Sequence, residues 1–218
     1  MANQTPNAPV INTRTINDFR AKLTGGGARP NLFQVEVEFP DFALGEGASG
    51  AKEDLQFMCK AANLPASNIN VIDIPFRGRN LKIAGDRTFD VWTITVINDV
   101  KFNIRNAFEK WMNAINQHDT GVGIISPTEY QKDARVLQLG RGVDGGGSGS
   151  IPPDSAKFPV LKMYKFHGIF PTNVSAIELS YDQADGIEEF TVDLQVQWWD
   201  AFRGDSGENM FATQENNS

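Results

Sequence analysis

Hydrophobic and polar residues alternate with a period of two over much of this chain. Near the C-terminal end Phe190, Val192, Leu194, Val196 and Trp198 alternate with Glu189, Thr191, Asp193, Gln195 and Gln197, the pattern of a half-buried strand. Phe33, Val35, Val37 and Phe39 alternate in the same way with Gln34, Glu36 and Glu38, and Pro40 ends the run. Residues 55–61 place Leu55, Phe57 and Cys59 on one side and Gln56, Met58 and Lys60 on the other, which predicts another strand. Segments 70–76 and 80–83 read as short strands. The run TFDVWTITVIN at 88–98 is the densest in β-branched and aromatic residues and predicts one central strand. Further strands are predicted over 129–139, 157–167, 174–181 and 187–199. Asp185 and Gly186 form a two-residue hairpin signal between the last two.

Two segments switch to a helical period. Ile104, Phe108, Trp111, Met112 and Ile115 share one face, with Arg105, Glu109, Lys110 and Asn113 opposite, so a helix is predicted over about residues 100–117. Asn98 or Asp99 can cap it, and Gly121 lies beyond its end. Ile16, Phe19 and Leu23 form a shorter stripe, with Thr15 as cap and the glycines at 25–27 as stop. Such a stripe packs on its own domain or, beside a floppy arm, on a neighbouring subunit. Residues 140–154 contain GGGSGS and two prolines, the composition of a flexible loop, between strands able to pair as a long hairpin. The expected organisation is an arm with a short helix (1–27), one β domain (28–200) and a polar tail (201–218). The expected fold is mainly β, a sandwich or half-barrel of antiparallel strands with one flanking helix.

Charge and cysteine content narrow the function classes. The 218 residues carry a formal net charge of −7, which opposes tight binding to a phosphate backbone. A single cysteine excludes an internal disulfide. No apolar run approaches the ~20 residues of a membrane helix, and the polar start MANQTPNAPVINT does not read as a secretion signal.

Each candidate chemical motif fails on context. Gly45-Glu46-Gly47-Ala48-Ser49-Gly50 spells G-x-G-x-x-G, and Asp73 sits about where a ribose-binding acid belongs. That fingerprint needs a strand running straight into a helix, whereas Pro40 intervenes and the next segment has a period of two. A hairpin loop is expected instead. Lys52 is one place out of register for a phosphate loop, and Glu53 stands where a hydroxyl is needed. His118 and His167 have no metal-binding spacing around them. Cys59 alternates with Leu55 and Phe57 and reads as a buried thiol. Asp182, Asp185, Glu188 and Glu189 fail as a calcium loop, because Ala184 and Gly186 occupy ligand positions. No catalytic, cofactor-binding or metal-binding residue is therefore expected, and the protein is not expected to be an enzyme.

The blocks ARPNLFQVEVEF (28–39), FMCKAANLP (57–65), IAGDRTFDVWTITVIN (83–98) and GIFPTNVSAIEL (168–179) resemble the tail tube proteins of contractile-tailed, T-even-like bacteriophages. Residues 102–115 and 126–141 are similar too, so the likeness covers most of 28–200. It implies a structural virion protein that assembles as hexameric rings, stacked head to tail into a tube inside a contractile sheath. Sheath, baseplate and tail terminator are the implied partners. Viral DNA would pass along the channel without specific binding, with no membrane contact. Assembly would occur in the host cytoplasm before residence in the tail. The ring-forming tube protein of type VI secretion-like systems is the alternative, and a jelly-roll binding module a third. In a monomeric sandwich the polar strand faces simply meet solvent. In a ring either could line the channel, which makes Glu36, Glu38, Glu189 and Asp193 candidate lumen residues, expected to be carboxylates without partners. Ile16, Phe19, Leu23, Gly142 and Ser150 are candidate intersubunit contacts.

Overall fold

Strands that alternate in one-sided burial need a second layer to cover the buried side. In the computed structural model that layer comes from the same sheet, curled over its own core. Residues 15–23, 27–45, 48, 50–141, 159–182, 186–204 and 210 are described. Among them the strands are β1 (Phe33–Val37), β2 (Cys59–Ala62), β3 (Ser67–Phe76), β4 (Arg79–Phe89), β5 (Trp92–Ile97), β6 (Lys132–Leu139), β7 (Val160–Val174), β8 (Glu189–Gln195) and β9 (Trp198–Arg203). The helices are α1 (Ile16–Lys22), α2 (Ala51–Met58), α3 (Asn103–Ile115) and α4 (Pro127–Tyr130), with a 3-10 turn at Asp41–Ala43.

Seven strands form one antiparallel sheet, ordered β1-β6-β7-β8-β5-β2 with β9 also on β7; β3 and β4 pair separately. The sheet turns a corner twice. β7 pairs with β6 and β9 through its first part, Lys162 standing opposite Arg203 and His167 opposite Trp198, and with β8 from Phe170 to Val174. Gly168 makes that bend at φ +63°, where a Cβ would lie 2.7 Å from Gln197 Cγ, so glycine is required. Beside it the chain leaves β8 for β9, the Gln197 N–H bonding to His167 O at 3.1 Å.

The inward residues of both halves meet in a single core. Val35, Val136 and Phe166 come from one half and Trp92, Ile94, Phe190 and Val192 from the other. α3 closes the core with Ile104, Ala107, Phe108 and Trp111, as its stripe predicts. Phe39 packs edge-on against Phe108 at 5.0 Å, and Trp111 Nε1 donates to Tyr130 O at 2.8 Å. Asp99 helps to cap α3, its Oδ1 accepting from Asn103 N at 3.0 Å.

Several expectations are corrected. Residues 55–58 are helical, because Ala51 and Leu55 lie one turn apart on the buried side while Phe57 is 86% exposed. Only Cys59–Ala62 is extended. A helix therefore does follow Gly50, and the glycine segment is no hairpin loop; it is preceded by the 3-10 turn rather than by a strand. The run 88–98 is two strands, not one. It breaks after Phe89, where Asp90 N bonds to Ala66 O and Thr93 N to Asn63 Oδ1. Residues 127–130 form α4 before β6 starts. β7 continues to Val174, whereas residues 175–180 leave the ladder after Ser175 N bonds to Thr191 O. The connection from β7 to β8 is accordingly long rather than a two-residue turn; Asp185 lies outside the described residues. At the corner Trp198 falls out of phase with Val196 and stands half exposed. β9 carries the sheet to Arg203 with Ala201 buried, past the expected start of the polar tail. β6 and β7 do pair as a hairpin around the glycine-rich segment, Leu139 standing opposite Val160. Most of that segment, with Gly142 and Ser150, lies outside the described residues, as do residues 1–14.

Candidate functional site

The chemistry-bearing surfaces of this chain are sheet faces and edges. The most exposed apolar one is the β3–β4 hairpin, whose strands pair with each other and, among the described residues, with no other strand. Ile72 stands opposite Ile83, Ile74 opposite Leu81 and Phe76 opposite Arg79, and opposite residues point to the same side. That side is an apolar stripe ending in a basic residue, with Phe76 66% and Leu81 60% exposed. The other side is mixed, with Val71 opposite Ala84 and Lys82 bonded to Asp73 at 2.9 Å. Arg77 and Gly78 both have positive φ, 44° and 83°, as a tight hairpin turn requires. A lone two-stranded ribbon is marginal in water, and an apolar stripe of this extent marks a contact surface. Sequence reasoning finds these strands but not the stripe. Its signal is the glycine at 78 with apolar residues spaced by two on either side.

A second surface is the outward face of β5, β8 and the end of β7. Thr93, Thr95, Thr191 and Asn173 make it mainly polar, with Ile97 beside Glu189 on the same side. Contrary to expectation, its two candidate carboxylates have partners. Asp193 accepts from Thr93 Oγ1 at 2.7 Å and from Asn173 Nδ2 at 3.1 Å. Lys60 Nζ donates to both oxygens of Glu189, at 2.7 and 2.8 Å. Among the described residues the outer edge of β2 and the edge of β7 beyond Phe170 carry no strand partner.

The third surface is the outward face of β1, β6, β9 and the first part of β7. It carries a charge ladder. Glu36 pairs with Arg135 Nε and accepts from Gln34. Asp133 accepts from Lys165 at 3.1 Å. His167 lies between Asp133 and Asp200, at 3.4 and 3.3 Å, and stacks on Trp198. Burial pushes Asp133 up, but the hydrogen bonds from Lys165 and the Gly168 N–H and the charge of His167 outweigh it. The carboxyl therefore sits below its ordinary value. Glu38 stands on this side too, lining a cleft with Lys52 and Arg135. The structure thus separates the four candidate lumen residues into two pairs, three strands apart along the sheet.

α1 forms as predicted, closed by a reciprocal cap in which Thr15 N donates to Asp18 Oδ2 and Asp18 N to Thr15 Oγ1. Its stripe buries nothing: Ile16 is 76% and Phe19 63% exposed. Cys59 is half buried, its Sγ donates to Ala61 O, and burial raises its thiol to about 12. A thiol held there is a poor nucleophile.

Comparison with known proteins agrees with this architecture. The family model described as "Phage tail tube protein" matches residues 28–201. "Tail tube protein gp19" of Enterobacteria phage T4 is 35% identical over 181 residues, covering 83% of this chain and 96% of that protein. "Tail tube protein" of Serratia phage KSP90 is 30% identical over 183 residues, covering 83% and 93%. In fold the chain is similar to a subunit of the PVC sheath-tube complex, an extracellular contractile injection system in its extended state. The TM-score is 0.51 at 12% identity, covering 84% of this chain and 97% of that one. A match across the whole β domain, at this identity to phage tail tube proteins, settles the assignment: the chain belongs to the phage tail tube protein family.

Proposed function

We propose that this chain builds the tube of a contractile phage tail, as hexameric rings stacked into a channel through which viral DNA leaves. The observation that carries this reading is the sheet itself. Its β2-β5-β8-β7 portion has, among the described residues, two open edges and one mainly polar outward face. Open edges invite pairing with another chain, and closure around a ring removes them. Six copies joined at these edges present Thr93, Thr95, Thr191 and Asn173 to the channel. Asp193 and Glu189 are then lumen residues, while Glu36 and Glu38 face the outer wall. A wall whose one lysine, Lys60, is neutralised by Glu189 offers passing phosphates no anchor.

The charged face of β1, β6, β7 and β9 then turns towards the sheath. Baseplate and terminator cap the two ends, and α1 with the glycine-rich segment contributes contacts between copies. The tube assembles in the host cytoplasm, catalyses no reaction and holds no cofactor. Negative-stain microscopy of the purified chain tests the reading: rings or tubes with an open channel are expected. A monomer that stays dispersed at all concentrations overturns it.

A further inference from the structure

The corner of the sheet holds a histidine whose two ring nitrogens both face carboxylates. His167 precedes the bend at Gly168, and its backbone O accepts from Gln197 N at 3.1 Å. It therefore stands where the chain passes from one half of the sheet to the other. Its ring lies on the outward face, between the two strands that flank the first part of β7. Nδ1 is 3.4 Å from Asp133 Oδ2 on β6, and Nε2 is 3.3 Å from Asp200 Oδ2 on β9. A neutral imidazole carries one N–H and one bare lone pair. Whichever nitrogen keeps the proton, the other turns its lone pair on a carboxylate oxygen. Only the doubly protonated ring suits both neighbours.

Two further observations favour a charged ring. Nε2 is buried without an aligned hydrogen bond among the described residues, so what it gains from Asp200 is attraction between charges. The ring also lies flat on the Trp198 indole, with centroids 4.9 Å apart and planes at 13°, an arrangement that favours a cation.

The surrounding groups leave one positive charge to be supplied. From β7 itself Lys165 reaches Asp133 at 3.1 Å and stands opposite Asp200 in the β7–β9 register. Beyond Asp133, Glu36 and Glu38 share a cleft with Lys52 of α2 and Arg135 of β6, two acids against two bases. Lys132 stands opposite Ile169, past the bend, and Arg203 opposite Lys162, well before the ring. Gln131 and Gln197, which flank Gly168, are uncharged. At the ring itself two carboxylates therefore meet one lysine, and the imidazolium is the charge that balances them.

We propose that His167 is a proton-operated clasp on the sheet corner. Charged, it draws Asp133 of β6 and Asp200 of β9 together across β7; neutral, it gives up that hold. Its contribution to stability is present while the ring is charged and is lost as pH rises through the ring's titration. The clasp belongs to a single chain and does not depend on the ring-and-tube reading.

The test is a pH series on the full chain. His118 and His167 are the only histidines, so with isotope-labelled histidine the spectrum of His118→Gln assigns the ring of His167. Both ring nitrogens of His167 should carry protons at about pH 5.5. As the ring loses its charge, the backbone amides of Asp133, Gly168, Gln197 and Asp200 should shift with the same midpoint. His167→Gln should unfold at a lower temperature than wild type at about pH 5.5, and at least half of that gap should vanish by about pH 8.5. A gap of constant size across the series overturns the proposal. Where His167→Gln does not fold, the wild-type spectra decide. A ring with one bare nitrogen at about pH 5.5, or corner amides that do not move with the ring, also overturns it.

Discussion

The indole of Trp92 stacks on the ring of Phe166, with centroids 4.5 Å apart and planes 24° from parallel. Trp92 belongs to β5 and Phe166 to the first part of β7, so the pair joins the two halves of the curled sheet across the core. Both side chains are fully buried. Phe166→Ala should cost about 3–5 kcal/mol. Trp92 Nε1 is buried with no hydrogen-bond partner among the described residues, so Trp92→Phe removes that donor along with some packing. Its loss should be much smaller than that of Trp92→Ala. Urea unfolding of the three variants checks the ranking.

Gly168 is the hinge of β7. Gly168→Ala places a side chain at φ +63° and against Gln197, at an expected cost of about 1–2 kcal/mol. Gly168→Ala combined with Gln197→Gly should recover the part due to the close contact but not the part due to the backbone. Thermal unfolding of the two variants separates the contributions.

Asp133 makes stability depend on pH in one direction. Its carboxyl sits below the ordinary 3.8 in the folded chain. Its contribution is complete above that value and is lost as pH falls through the lower folded value. Asp133→Asn should therefore weaken the protein at pH 7, by about 1 kcal/mol or less because the group is partly exposed. The gap from wild type should narrow as pH falls below 3.8 and close once the folded carboxyl is protonated. Unfolding curves from pH 7 to pH 2 are the measurement.

Cys59 should resist thiol reagents in the folded state. With its thiol raised to about 12, the thiolate is scarce at pH 8. A disulfide-exchange reagent should label the unfolded chain rapidly and the native chain at least tenfold more slowly, on the order of the difference in thiolate fraction. Equal rates would contradict the placement of this residue.

Glu189→Lys tests the proposed channel wall. It leaves the core untouched but sets two lysines side by side where Lys60 and Glu189 now pair. Particles carrying it should release DNA more slowly, with the delay largest at low ionic strength, where screening is weakest. Release at the wild-type rate at every salt concentration would remove Glu189 from the lumen.

How far the fold is legible depends on what each pattern can distinguish. Val35 and Val37 or Phe190 to Leu194 alternate because a strand with one face in the core must do so, and the structure keeps that phase. Leu55 fails because a spacing of four fits both a strand and a helix. Only the burial of Ala51, one turn earlier, decides between them. Leu179 and Tyr181 alternate as well, but alternation makes a strand only where a neighbour supplies hydrogen bonds, and among the described residues none lies beyond Ser175. Trp198 falls out of phase because the corner at Gln197 resets the count. The carboxylate partners are less legible still. Lys60 and Glu189 are 129 residues apart, and their meeting is a property of strand order that no local spacing reveals.

The corner at Gly168 and Gln197 has a mechanical consequence. Two continuous strand paths, through β7 and through β8 into β9, cross from one half of the sheet to the other. A pull along either path loads the ladders of both halves together. Ladder bonds lie across the strands, so the load shears them in parallel instead of unzipping them one by one. Neither half can peel away while the other holds. Under a pull along these strands the fold is thereby built to fail late and all at once rather than by gradual creep.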